Sequence, residues 1–195
     1  MSKSTELLEM GAYASGRVDR REALDIFSSI EEDFQESGVR RYALAGSYRR
    51  GKRDIGDLDI ILASANMKEI YEKVSKSLNV TKVGRSGSKM MTLVIEHNDK
   101  EVQLEFINVD PNSFGAALLH STGSQMVNIG LRSRAKKMGY KLNQYGLFDL
   151  ESNSKVGGKT EKSIFNALGM KTVPPTRRDI EDWKDWNNLV KQFQK

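Results

Sequence analysis

"GSYRRGKRDIGDLDI", residues 46–60, places a Gly-Ser pair, a basic cluster (Arg49, Arg50, Lys52, Arg53) and two acids one residue apart in a single short stretch. Its last part decides the architecture. "LDIILAS" is an apolar run of strand length, and side chains along a strand alternate between its two faces. Asp57 and Asp59 therefore share one face at the start of a buried strand, and Leu58 and Ile60 take the other. Two readings fit the stretch alone: a charged turn entering a strand, or a site that holds a polyphosphate and divalent cations.

The flanking sequence supplies more of the sheet. "RYALAG" precedes the stretch as a second buried strand. "KMMTLVIEH" and "EVQLEFINV" flank Asn98-Asp99-Lys100 and read as a hairpin. In its second strand Val102, Leu104 and Phe106 face one way, and Gln103 and Glu105 the other. If that strand neighbours "LDIILAS", three carboxylates converge, enough to hold two divalent ions about 4 Å apart for an in-line displacement. Helical spacing of Ala23, Ile26, Phe27, Ile30 and Phe34 predicts one helix over "VDRREALDIFSSIEEDFQES", with Asp19 and Glu22 as a capping box. "NMKEIYEKVSKSL" predicts another, capped by Asn66.

Beyond Asp110-Pro111-Asn112 the pattern turns mainly helical. "SFGAALLHSTGSQMVNIGLRSRAKKMG" predicts two helices broken at Thr122-Gly123 and closed by Gly139, followed by short strands in "YKLNQYGLFDL". A helix in "TEKSIFNALGM" stops at Gly169. The tail "RRDIEDWKDWNNLVKQF" carries Ile180, Trp183, Val190 and Phe193 on one face of a last helix, with Trp183 and Trp186 as packing residues. The expected fold is α+β: a strand-rich catalytic part over residues 1–111 and a smaller, mainly helical part over residues 112–195.

Composition narrows the chemistry. The 195 residues contain no Cys and only two His, which excludes disulfides, thiolate sites and a multi-histidine zinc site. A catalytic metal would be held by carboxylates, which suits Mg²⁺ or Mn²⁺. No apolar run has the ~18 residues of a membrane span, and "MSKSTELLEMGAY" lacks the apolar core of a secretory signal. An intracellular, monomeric protein is expected. Of the net charge of +5, residues 116–195 carry 14 Lys and Arg against 7 Asp and Glu, a balance of +7, leaving −2 for the rest. A basic C-terminal part points to a polyanion partner.

These motifs, in this order, resemble the nucleotidyltransferase superfamily and specifically the family X DNA polymerases. "GSYRRGKRDIGDLDI" is similar to the family's Gly-Ser-x-x-Arg-Arg followed by Gly-Asp-x-Asp. "DPNSFGAALLHSTGS", "KLNQYGLF" and "EKSIFNALGMKTVPP" resemble later family blocks, so the likeness runs from about Arg17 to Pro175. It implies the minimal layout of the family, a palm with a C-terminal subdomain, without a lyase-like domain or helix-hairpin-helix region.

The resemblance also implies roles. Asp57 and Asp59 would be ligands of two Mg²⁺ ions (with Mn²⁺ able to substitute), and Glu105 the third carboxylate, beside a primer 3′-hydroxyl. Gly46, Ser47, Arg50, Gly56 and Arg17 would bind the triphosphate. His120, Ser121, Thr122, Gly123 and Asn128 would surround the sugar and base of the nucleotide. Arg132, Lys89 and Lys141 would contact DNA. The implied partners are dNTP and gapped or primer-template DNA, and the implied activity is template-directed filling of short gaps in DNA repair. Three positions depart from the family pattern: Glu105 stands where Asp is usual, Ile107 replaces a common Arg, and His120-Ser121 replaces two aromatics near the sugar. A template-independent or RNA-directed nucleotidyltransferase, and a DNA-binding member with impaired catalysis, stay open as alternatives.

Overall fold

A computed structural model describes Ala14 and residues 16–195; the reading of residues 1–13 as lacking a secretory signal lies outside the described residues. The chain divides into two compact units. The first runs to Tyr48 and resumes over Lys52–Asn108; the second takes Arg49–Gly51 and Val109–Lys195.

In the first unit, β1 (Val18–Asp19) leads into α1 (Arg20–Ser28) and α2 (Glu31–Glu36), followed by β2 (Tyr42–Leu44). A short helix, α3 (Gly46–Arg50), precedes β3 (Asp54–Ile55) and β4 (Asp57–Ala63). Then come α4 (Met67–Ser77), β5 (Val80–Ser86), β6 (Met90–His97) and β7 (Lys100–Val109). Five strands form one sheet in the order β2-β4-β7-β6-β5, and β1 pairs with β3 beside it. Alternation assigns the faces as expected: Leu58, Ile60 and Leu62 of β4 and Val102, Leu104 and Phe106 of β7 are fully buried. They join Ile26 and Phe34 of α1 and α2 and Ile70 and Val74 of α4 in one core. The β6–β7 register pairs His97 with Lys100. Asn98 and Asp99 form the two-residue turn, both at positive φ, the backbone that the tight hairpin turn requires.

Where one helix was expected over residues 20–36, there are two. Ser29 ends the first, and its hydroxyl donates to the Ile26 carbonyl, a side-chain bond that competes with helix continuation. The capping box is present: Asp19 accepts from the Arg21 and Glu22 amides, and Glu22 accepts from the Asp19 amide. That amide, then Asn98 and Lys100, hold the Glu22 carboxyl down to about 2. Asp19→Ala is expected to lower stability by about 1 kcal/mol, read as a shifted urea midpoint at unchanged m-value.

The second unit holds α5 (Phe114–Thr122), α6 (Gln125–Lys137), β8 (Tyr140–Asn143), β9 (Gly146–Asp149), β10 (Lys155–Gly157), α7 (Glu161–Ala167) and α8 (Trp183–Phe193). The three strands form a small sheet in the order β10-β9-β8. Leu119, Val127, Leu131, Leu147, Ile164, Phe165, Trp186 and Leu189 form its core. Trp186 of α8 lies so close to Gly130 of α6 that a Cβ there would run into the indole. The tail departs from expectation in two places. Ile180 precedes the helix and its carbonyl accepts from the Ser124 hydroxyl, while Trp183, in the helix's first turn, is 49% exposed. Trp186 and Leu189 are the residues of α8 that are buried. Among the described residues no helix is long and apolar enough to cross a membrane.

Candidate active site

In the first unit the acids of β4 stand at the head of the strand, half-buried, with their neighbours Leu58 and Ile60 fully buried behind them. The Asp59 carbonyl accepts from the Ala45 amide at 2.8 Å, which sets β4 against the chain entering α3. Asp59 extends its carboxylate toward Gly46. A Cβ at Gly46 would collide with it, and Gly46 sits at φ 54°, so both space and backbone favour glycine here. Asp57 lies near enough to Glu105 of β7 to act on its ionisation. Burial first, then the Asp57 charge, pushes the Glu105 carboxyl above the ordinary glutamate value, against a smaller opposing pull from Arg85. The Ser47 hydroxyl is buried with no hydrogen-bond partner among the described residues.

Arg17 pairs with Asp54, Nε to Oδ2 at 2.5 Å, and both side chains are largely exposed. Its guanidinium also lies beside Gly56, where a Cβ would stand 2.8 Å from Nη1. Lys89, just before β6, is exposed, and its carbonyl accepts from the Asn108 amide.

In the second unit, the basic end of α3 meets the end of α5. Arg50 donates to the Thr122 carbonyl at 2.6 Å and pairs with Asp179 at 3.4 Å. A Cβ on Gly123 would lie 3.6 Å from Arg50 Nη1 and 3.9 Å from Asn128 Nδ2. Asn128 Nδ2 donates to the His120 carbonyl at 2.7 Å, and Arg132 Nε donates to the Asn128 carbonyl at 3.1 Å. Arg50, His120, Thr122, Gly123, Asn128 and Arg132 thus form one connected group around the Thr122-Gly123 break, with Ser121 half-buried beside it. Partial desolvation and the charge of Arg132 keep the His120 imidazole below its usual value. Lys141 is exposed on β8.

Arg49, next to Arg50 in the basic cluster, is committed to a different partner. Arg49 makes a two-pronged pair with Glu161 at 2.8 and 2.7 Å and donates to the Thr122 hydroxyl at 2.9 Å. Glu161 also accepts from Arg178 at 2.6 Å. Arg178 is fully buried and spends its remaining donors on the Val173 carbonyl. Burial pushes the Glu161 carboxyl up, but the hydrogen bonds from Arg49 and Arg178 outweigh that and leave it below the ordinary range. Glu161 and Arg178 were not identified from the sequence. The available signals were an acid in the first turn after Thr160 and an arginine pair after Pro174-Pro175.

The donors near β4 are all oxygens, which suits a hard cation. Among the described residues no group of three or more His, Asp or Glu side chains is set to hold a metal ion. Burial and, second to it, repulsion from Asp57 raise Glu105, and a divalent cation would offset that repulsion. Mg²⁺ usually takes one or two protein carboxylates and completes its shell with phosphate and water. The residues present fit such an ion.

Comparison with known proteins follows the same division. The DNA polymerase beta palm profile matches residues 17–111, and the DNA polymerase beta thumb profile matches residues 117–179. The DNA polymerase/3′-5′ exonuclease PolX of Bacillus subtilis is 28% identical over 173 residues, which cover 86% of this chain and 30% of that protein. The Repair DNA polymerase X of African swine fever virus is 29% identical over 137 residues, covering 68% of this chain and 78% of the viral protein. DNA polymerase lambda of Rattus norvegicus is 26% identical over 189 residues, and the chain spans 33% of its length. With palm and thumb matched in chain order over an α+β fold, the chain belongs to the family X DNA polymerases.

Proposed function

We propose that this chain is a template-directed DNA polymerase that joins a dNTP to a primer 3′-hydroxyl, with short gaps in duplex DNA as its substrate in repair. The observation that carries the reading is the placing of acids on the neighbouring strands β4 and β7: Asp57 and Asp59 on one strand face, with Glu105 raised by burial and by Asp57, in a chain matched to the palm. In the reaction the 3′-oxygen forms a bond to the α-phosphorus, the bond from that phosphorus to the bridging oxygen breaks, and pyrophosphate leaves with the electron pair.

Asp57, Asp59 and Glu105 would hold two Mg²⁺ ions, or Mn²⁺ in their place. When bound, these supply positive charge against the charge that develops on the attacking and leaving oxygens. The protein's own part is positioning. Ser47 and Arg50 stand three apart on α3, one face of a helical turn, and are the donors for the β- and γ-phosphates; among the described residues the Ser47 hydroxyl has no partner to give up. Gly46 and Gly56 keep the backbone near the phosphates free of side chains, and Arg17 adds a cation beside Gly56. Thr122-Gly123, Ser121 and His120 take the sugar side, Asn128 the base edge, and Arg132 the template strand. Lys89 and Lys141 contribute backbone phosphate contacts. Residues 1–111 act as the palm, and residues 112–195 as the nucleotide- and DNA-binding subdomain.

Extension of a labelled primer with and without an annealed template tests this reading. Incorporation is expected only with the template, with a rate that falls steeply between 50 and 200 mM salt, as expected for a protein held by several phosphates. Equal extension of the unannealed primer would favour template-independent transfer. Gap binding with no incorporation in either Mg²⁺ or Mn²⁺ would favour a DNA-binding member with impaired catalysis.

A further inference from the structure

A groove of about 520 Å³ runs between α6 and α8 in the second unit and shares no lining residue with the group around Thr122-Gly123. Its floor is fixed: Trp186 is buried against Gly130, and Arg134 Nε donates to the Leu168 carbonyl at 2.6 Å. Its wall is Trp183, one helical turn before Trp186, with half its surface open. Arg134 and Lys137 line it, with Ser133 and Asn187 as neutral polar neighbours and no acid among the lining residues. The match to the thumb profile ends at residue 179, so the α6 side of the groove lies within it and the α8 side, Trp183 included, lies beyond it.

An exposed indole beside two cations is the pairing that single-stranded nucleic acids use: the ring stacks on a base and the cations take the adjoining phosphates. We propose that this groove binds single-stranded DNA, with one base stacked on Trp183 and a flanking phosphate at Lys137. The choice of DNA rests on the polymerase reading; the stacking geometry rests on the groove alone.

Trp183 and Trp186 are the chain's only tryptophans, both line the groove, and Trp183 is the exposed one, so the part of a quench that is absent in Trp183→Phe reports on Trp183. A ten-nucleotide oligodeoxythymidine should quench it saturably in the wild type and equally in Asp59→Ala, which separates this site from catalysis. Anisotropy of the labelled oligonucleotide should show about ten-fold weaker binding in Trp183→Ala. Trp183→Phe, which keeps a stacking face, should stay within about three-fold of wild type, and Lys137→Glu should weaken binding with a shallower salt dependence. Filling of a one-nucleotide gap should be unchanged in Trp183→Ala. Unaltered affinity in Trp183→Ala, or equal binding of a poly-glutamate decamer, would overturn the proposal; loss of gap filling in wild type with the quench intact would overturn only the polymerase reading.

Discussion

An Asp59→Ala variant should lose at least about 10³-fold in the rate of nucleotide joining while keeping its unfolding midpoint. The size follows from the role: a carboxylate that holds a divalent cation acts on charge that develops in the transition state, where one missing stabilising group costs about 10²–10³-fold. Loss of a cation ligand would also loosen an ion held jointly with the remaining groups. The fold should tolerate the change, because Asp59 is half-buried and its backbone carbonyl, which accepts from Ala45, is retained. Asp59→Asn is the companion variant. It keeps the shape against Gly46 and removes only the charge, so its rate should fall with that of Asp59→Ala. A wild-type rate in either variant would remove Asp59 from the chemistry. Quench-flow incorporation under single-turnover conditions reads the rate, and thermal unfolding reads the fold.

The second large effect is on stability. Glu161→Ala should destabilise the second unit by about 3–5 kcal/mol, because it leaves a buried charge without its partner. The Glu161 side chain is 11% exposed, and those of Arg49 and Arg178 are 23% and 0% exposed, so water offers little compensation. Arg178 would keep its bonds to the Val173 carbonyl, and Arg49 its bond to Thr122. The pH dependence has a definite sign. Glu161 titrates below its ordinary value in the folded protein. Its contribution is therefore fully present above about pH 4.3, the unfolded glutamate value, and is lost as pH falls through the folded value. Urea melts at pH 7 and at progressively lower pH should show the gap between wild type and Glu161→Gln narrowing as acid is added. A cost below about 1 kcal/mol at pH 7 would mean that the pairs merely break even with their desolvation.

What was legible in the sequence follows the range of the interactions. The β4 alternation, the Asn98-Asp99 turn and the Asn66 and Asp19 caps depend on neighbours within a few residues, and the structure carries each of them. β5 was missed: "VTKVGRS" is mostly exposed on the outer edge of the sheet, and an edge strand needs no clean apolar alternation. Trp183 fits the 3.6 period with Trp186, Val190 and Phe193, but the period marks a face and not the length of partner covering it. The Arg49–Glu161 pair joins residues 112 apart, and no local pattern announces such a contact. In the candidate site, the residue types and their order were readable, whereas the commitment of Arg49 to Glu161 was not.

The most direct measurement of the central claim is incorporation opposite each of the four template bases in a one-nucleotide-gapped duplex, with Mg²⁺ and each dNTP in turn. The joined nucleotide should change with the template base, and Asp59→Ala should join none at a comparable rate. Incorporation of the same nucleotide whatever the template base, or full activity without Asp59, would contradict the claim.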